Sequence, residues 1–196
     1  MSEVLIHARG QAPRFMPNPW LGVDSVDAIQ AAQDGTSPIL IPLSVWLSWR
    51  EQGQGSEAAA QSGAWPASRL GLLLKPDDDV TALKAHQVNG QWPWSLIAVH
   101  FPVFRDGRGF SQAHLLRQRL GWGGELRAVG DVLIDQLRQM ARVGFDAFAL
   151  REDQNHELAL QQFHAFTVQL QNDWRAERSV ITNGKEARHT DQGEHA

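Results

Sequence analysis

The sequence predicts an α/β fold: a parallel sheet built from βα repeats, resembling part of a TIM-type barrel, with an N-terminal extension. Three observations predict it. Short apolar runs recur at 70–74, 96–101, 125–129 and 145–150, each followed by a stretch of helical character. The runs are nearly continuous in apolar residues rather than alternating, as strands covered on both faces require. Gly121, the Gly123–Gly124 pair and Gly144 sit where the intervening helices should stop, because glycine accepts the left-handed conformation at little cost.

Taken in order, Val4–His7 reads as a first strand, and Pro17-Asn18-Pro19 cannot be helix interior. Ile39–Leu43 is a further apolar run bracketed by Pro38 and Pro42, hence short or at an edge. Ser44–Arg50, with Val45, Trp46, Leu47 and Trp49, completes one more βα unit. Residues 1–52 form the extension, and GQGSEAAAQSGA at 53–64 reads as a flexible linker. Residues 65–171 form the α/β core, and the polar stretch 172–196 reads as a disordered tail. Within the core, apolar stripes at helical spacing are Phe110, Ala113, Leu116 and Leu120; Val132, Leu133, Leu137 and Met140; and Ala159, Phe163, Phe166 and Leu170. Asp131 follows Gly130 directly after a strand and suits an N-cap.

Composition narrows the function classes. The 196 residues are enough for one domain with a real core, and 42% are hydrophobic, as in soluble globular chains. The net charge is −4 without a basic block, which argues against nucleic-acid binding. No apolar run is long enough to span a bilayer, and the start lacks a basic segment leading into an apolar one. The expectation is a cytoplasmic protein with no membrane partner. Cysteine is absent, so a thiol nucleophile, a CxxC pair or a cysteine-held cluster is excluded, and without tyrosine no phenol can act as an acid.

In a parallel α/β sheet, the loops after the carboxyl ends of the strands gather on one edge, and sites concentrate there. That edge should receive Lys75, Asp77 and Asp78; His100, Arg105, Asp106 and Arg108; Asp131; and Arg151, Glu152 and Asp153. The opposite edge receives mostly Gly, Trp and Pro. The segment FPVFRDGRGF at 101–110 is the most distinctive. Gly107 and Gly109 let the backbone turn and approach something closely, and Arg108 lies beside the first turn of the next helix, a setting suited to an anion. The alternative is structural: Asp106 forms an Asx-turn while Arg108 pairs with Asp131 or Asp135 to brace the loops. The segment is neither a P-loop nor a dinucleotide fingerprint.

Asp131 and Asp135 lie one helical turn apart and could hold a metal or share a proton, but a cap and an Asp135–Arg138 pair explain them more simply. His100 is a candidate general base or a hydrogen-bonded packing residue. No histidine spacing supports a zinc site, so no metal is expected. Arg127, inside a strand, must be paired, and Asp106 is one candidate partner. Trp92-Pro93-Trp94 either forms a partner-binding patch or covers the lower edge of the sheet.

These residues carry a resemblance. FPVFRDGRGF followed by HLLRQRLGWGGELRAVGDVLIDQLRQMARVGFDAF resembles the bacterial domain-of-unknown-function family 934 over roughly residues 65–170. The resemblance implies an oxidoreductase label without an established activity, and an association with assimilatory sulfite reduction. It carries over Phe101, Pro102, Asp106, Gly107, Arg108, Gly109, Arg117, Arg119, Glu125, Arg127, Gly130, Asp131, Asp135, Gln136, Gly144, Phe145 and Asp146. Two positions depart from the pattern: Phe110 is often tyrosine in the family, and Val143 often cysteine.

The functional expectation is an accessory protein of sulfur assimilation that binds a small anion or a partner enzyme, sulfite reductase among them, at the carboxyl edge. Arg108 and Arg127 would supply positive charge there, with Asp106 and Asp131 holding them, and Lys75, His100, Asp135 and Arg151 as further candidates. Alternatives are an oxidoreductase with a nucleotide or flavin cofactor, although no motif for either is present, and a scaffold docked on sulfite reductase. Half a barrel leaves exposed strand edges, which a homodimer would cover.

Overall fold

The computed structural model describes residues 3–8, 11–33, 35–53 and 65–163. Residues 54–64 of the expected linker and the expected tail, 172–196, lie outside the described residues, as do Phe166 and Leu170. Eight strands form one sheet: β1 Glu3–Ile6, β2 Arg14–Pro17, β3 Leu21–Gly22, β4 Ile39–Pro42, β5 Leu70–Leu74, β6 Leu96–Phe101, β7 Glu125–Gly130 and β8 Ala147–Phe148. The spatial order is β2-β1-β8-β7-β6-β5-β4-β3.

From β3 to β8 every neighbouring pair is parallel and in chain order, the progression of βα repeats. The sheet is not purely parallel, however. β1 pairs antiparallel with β8, and β2 antiparallel with β1. Connection length accounts for the second pair: the stretch from Ile6 to Arg14 permits a hairpin return, whereas a parallel neighbour needs a crossover of about a dozen residues or more.

The sheet must also curl. Laid flat, eight strands would put the outermost two roughly 34 Å apart, at about 4.8 Å per step. Yet β2 and β3 are those outermost strands, and only Asn18, Pro19 and Trp20 separate them in the chain. Four peptide steps reach at most about 14 Å. The two edges are therefore drawn toward each other, but no ladder joins β2 to β3 among the described residues, so a closed TIM barrel is not formed.

Five α-helices are described: α1 Val26–Ala31, α2 Leu43–Glu51, α3 Arg108–Gln118, α4 Leu137–Val143 and α5 His156–Gln161. With strands in chain order and right-handed crossovers, the connecting segments fall on one face. The main core forms there, from Leu72, Leu74, Ile97, Val99, Phe101, Leu126, Ala128 and Phe148 against residues such as Trp46, Ala113, Leu116 and Met140. Alternation sends Leu96, Ala98 and His100 of β6, and Glu125, Arg127 and Val129 of β7, to the inside of the curl. The Asn18–Trp20 bridge lies across that inner face. A Cβ on Gly71 would sit 2.7 Å from the Trp20 ring, so the indole lies directly on the β5 backbone.

The expected helix across Val132–Met140 is shorter than its stripe. Asp131 does not cap it, because its carboxylate serves other groups described below. A 3-10 turn spans Ile134–Gln136, the Ile134 N–H donates to Gln154 Oε1 at 3.0 Å, and the α-helix starts only at Leu137. Similarly, the expected strand 145–150 forms a ladder only at Ala147 and Phe148, because the Phe145 N–H still closes the preceding helix on Met140 O at 3.1 Å. Among the described residues, no helix is long and apolar enough to cross a membrane.

Candidate functional site

The loops after β5, β6, β7 and β8 meet at the carboxyl edge of the sheet and form two ionic clusters. The first is built by FPVFRDGRGF. After Phe101 the chain turns, with the Asp106 N–H donating to Val103 O at 3.0 Å. Asp106 Oδ1 accepts from the Arg108 backbone N–H at 3.2 Å, which is an Asx-turn, and from Arg108 Nε at 2.9 Å. Asp106 Oδ2 accepts from Arg108 Nη2 at 2.7 Å, completing a bidentate pair. Nη1 of the same guanidinium reaches Asp77 of the β5 loop. The hydrogen bonds from Arg108 hold the Asp106 carboxyl below the ordinary carboxylate range, and the same contacts raise Arg108. Arg108 is thus neutralised in place by Asp106 and Asp77, not by Asp131 or Asp135, and presents no uncompensated charge.

The second cluster centres on Asp131. Its Oδ2 accepts from the Phe104 N–H at 2.7 Å, and its Oδ1 accepts from Arg151 Nη1 at 2.7 Å. Arg151 is also bidentate to Asp153, at 2.6 and 2.8 Å, and those contacts hold the Asp153 carboxyl far below its usual range. Gln136 Nε2 donates to Phe104 O at 2.7 Å. Both polar groups of the Phe104 backbone are therefore clamped by side chains from the segment after β7. The Phe104 side chain is left outside: Phe104 is 47% exposed and Val103 44%.

The two glycines of the segment have different reasons. Gly107 has φ −76°, and a Cβ there would meet nothing. A Cβ on Gly109 would lie 2.5 Å from the Phe101 ring, so Gly109 serves packing of α3 on β6 rather than approach to a ligand. Gly130, at φ 97°, likewise has no room for a Cβ, which would strike Phe101 O and lie 2.9 Å from His100 Cδ2.

The remaining candidates lie elsewhere. Arg127 does not join Arg108. It sits in mid-strand on the inner face, between Ala98 and Ala147 in register, with its side chain 4% exposed. Its partners are Glu125, through Nε at 2.7 Å and Nη2 at 2.6 Å, and Asn18 Oδ1, through Nη1 at 2.8 Å; Asp106 and Asp131 are not among them. His100 faces the same side, half-buried against Gly130. Lys75 is exposed; its backbone N–H donates to Asp78 Oδ2 at 2.7 Å, and its carbonyl accepts from Gln112 Nε2 at 2.8 Å. Asp135 is exposed on the 3-10 turn and does not share a site with Asp131, whose oxygens are already engaged. Of the two tryptophans in Trp92-Pro93-Trp94, Trp94 is core and Trp92 is half-buried. Among the described residues, no three histidine, aspartate or glutamate side chains gather as metal ligands.

One bracket was not foreseen from residue pattern, although the family resemblance carried over its members Arg117, Gly144 and Asp146 without a role. Arg117 of α3, its side chain 1% exposed, donates Nε to Gly144 O at 3.0 Å and Nη1 to Trp122 O at 2.6 Å and Gly124 O at 2.9 Å, and its Nη2 pairs with Asp146. Its apolar stem explains Gly144, where a Cβ would lie 2.5 Å from Arg117 Cγ. The signal was present: an arginine one position beyond Leu116, on the apolar side of a helix, followed by glycines that stop the next two elements.

Over residues 71–181, more than half of the chain, the sequence matches the family described as bacterial protein of unknown function, DUF934. The chain belongs to that family. None of the curated proteins matches it. The DUF934 match begins at Gly71, on β5, so it includes both ionic clusters and the Arg117 bracket, while β1 to β4 precede it. The residues that carry the DUF934 resemblance sort accordingly into braces: Asp106 with Arg108; Asp131 and Gln136 around Phe104; Arg117 with Gly144 and Asp146; Phe101 with Gly109 and Gly130.

Proposed function

We propose that this chain is an accessory protein of sulfur assimilation that docks on a partner enzyme, sulfite reductase being the first to test, through the carboxyl edge of its sheet. The observation that carries the docking reading is Phe104. A large exposed apolar ring carried on a backbone whose N–H and C=O are both clamped is set for burial in a partner's pocket, because the main-chain ordering there is already in place before binding. Val103 beside it extends the apolar spot, and the flanking ion pairs provide a polar rim. The sulfur-assimilation setting is supported only by the family resemblance.

The test is capture of purified sulfite reductase on the immobilised chain. The wild type binds, Phe104→Asp loses binding by a factor of roughly a hundred, as for a central aromatic anchor, and Arg108→Ala changes it little. Absence of binding in the wild type removes sulfite reductase as the partner; equal binding by Phe104→Asp removes the docking surface.

A second reading, a small oxyanion at the same edge, is favoured by two of the further candidates rather than by Arg108 and Arg127. Leu74 and Val99 are register partners, so Lys75 and His100 follow as neighbours across β5 and β6, and neither side chain is engaged by a carboxylate among the described residues. Calorimetry with sulfite, sulfate and phosphate checks it, with Lys75→Met as the variant that should lose the signal.

A further inference from the structure

The opposite, amino edge of the sheet holds a cavity of about 250 Å³ on the helix-bearing face. Its walls come from three chain segments: Trp46, Trp49 and Arg50 of α2, Trp65 before β5, and His86 and Trp92 before β6. We propose that this cavity is a binding site for a small planar aromatic anion, an arene carboxylate of one or two rings, gripped between indoles and neutralised by Arg50.

The apolar part is preformed. Trp46 and Trp49 meet edge-on at 5.4 Å between centroids, Trp49 and Trp65 at 6.4 Å, and Trp92 stacks on Trp94 at 6.1 Å. Trp94 in turn backs Trp46 at 5.2 Å. Rings that hold one another in place need little reordering when a flat ligand enters, and their π faces are the surfaces an arene stacks on. The rim is equally fixed. Val88 and Gln91 exchange both backbone hydrogen bonds at 2.9 Å across Asn89-Gly90, whose φ values of 51° and 77° make the type I′ turn that an Asn-Gly pair favours.

The charge is what selects the ligand. Arg50 Nη1 lies 2.6 Å from His86 Nδ1. A guanidinium only donates, so Nδ1 accepts, and His86 is the neutral tautomer with its proton on Nε2. Burial first, and then the positive charge of Arg50, lower the His86 pKa and keep it neutral. The imidazole therefore positions Arg50 without cancelling its charge. Arg108, Arg117, Arg127 and Arg151 are each paired with a carboxylate, whereas Arg50 has none among the described residues; Arg69, over the Trp65 ring at 4.6 Å, also lacks one but is held by the carbonyls of Ala32 and Ser37. The indole N–H of Trp46, which also lines the cavity and is 2% exposed, has no hydrogen-bond partner among the described residues. A half-buried cation left unneutralised beside aromatic walls favours a ligand that brings one negative charge and one flat apolar body.

The site is independent of the docking surface and stands or falls alone. The experiment is isothermal calorimetry of the full chain with 2-naphthoate and with its neutral counterpart, 2-naphthalenemethanol. The wild type should bind 2-naphthoate one-to-one, with the alcohol weaker by roughly tenfold or more, the value of one charge-assisted hydrogen bond. Arg50→Met should lose that preference while still binding the alcohol, Arg50→Lys should keep most of it, and Trp92→Ala should weaken both ligands. Phe104→Asp should leave both unchanged. Circular dichroism confirms that each variant is folded, and if Arg50→Met is not, Arg50→Lys and the naphthoate-to-alcohol ratio in the wild type decide. No saturation by 2-naphthoate at millimolar concentration, or the same ratio in wild type and Arg50→Met, overturns the proposal.

Discussion

The two edges of the sheet handle positive charge in opposite ways. At the carboxyl edge, Arg108 and Arg151 each face two carboxylates, and the exposed feature is an apolar ring. At the amino edge, indoles dominate, and two guanidiniums face no carboxylate among the described residues: Arg50 meets a neutral imidazole, and Arg69 lies over Trp65 and bonds to backbone carbonyls. Counting charged residues would have assigned the anion to the first edge. What matters is which guanidiniums keep a carboxylate partner: Arg108 and Arg151 do, and Arg50 does not among the described residues. A residue type therefore marks a site only once its partners are known.

The largest effect that would sharpen this contrast comes from exchanging a buried arginine and an exposed one. Arg117→Met removes a guanidinium that ties three carbonyls and Asp146 together near the amino end of β7. Breaking a buried pair from one side costs about 3–5 kcal/mol, and urea unfolding should show a loss of that order. Arg108→Ala, at a half-exposed and salt-screened pair, should leave the unfolding midpoint almost where it was. Equal losses in the two variants would mean that the carboxyl-edge network carries far more stability than its exposure allows.

A smaller effect separates the two glycines of one segment. Gly109→Ala must push the Phe101 ring aside and should cost about 1–3 kcal/mol, as overpacking does. Gly107→Ala meets no atom and should shift stability by no more than about 0.5 kcal/mol. Thermal melts of the pair check this, and the reverse order would return Gly109 to a ligand-facing role.

The smallest effect is the pH dependence of the amino edge. Because the pKa of His86 is lower in the folded chain than its ordinary 6.5, the unfolded chain binds more protons between the two values. Stability contributed by neutral His86 is complete above about 6.5 and is lost as pH falls through that window toward the folded pKa. His86→Gln should flatten this part of a stability–pH curve; an unchanged slope would show that His86 is not held neutral by burial and Arg50.

The parallel strands β4 to β7 were legible because a strand buried on both faces must be apolar throughout, and 70–74 and 96–101 stand out for that reason alone. The antiparallel end was not legible. β1 and β2 carry no tight-turn signature between them, and the partner of β1 is β8, at the far end of the described chain. The Val132 stripe misled because helical spacing does not reveal that Asp131 is claimed by Phe104 and Arg151, 27 residues before it and 20 after it. Of the candidate site, the Asx-turn at Asp106 could be read locally. Arg108 to Asp77 spans 31 positions and Arg127 to Asn18 spans 109, and local pattern carries no information at that range.

Asn18, Pro19 and Trp20 act as a drawstring. Three residues pull together strands that stand at opposite ends of the sheet, place an indole on Gly71 and supply the carbonyl that completes the coordination of Arg127. A fragment cut at Gly71, where the DUF934 match begins, would lose the drawstring along with the strand that shields β5. It would present an open backbone ladder and a half-solvated guanidinium. The stretch that matches the DUF934 family is therefore shorter than the sheet it helps to build.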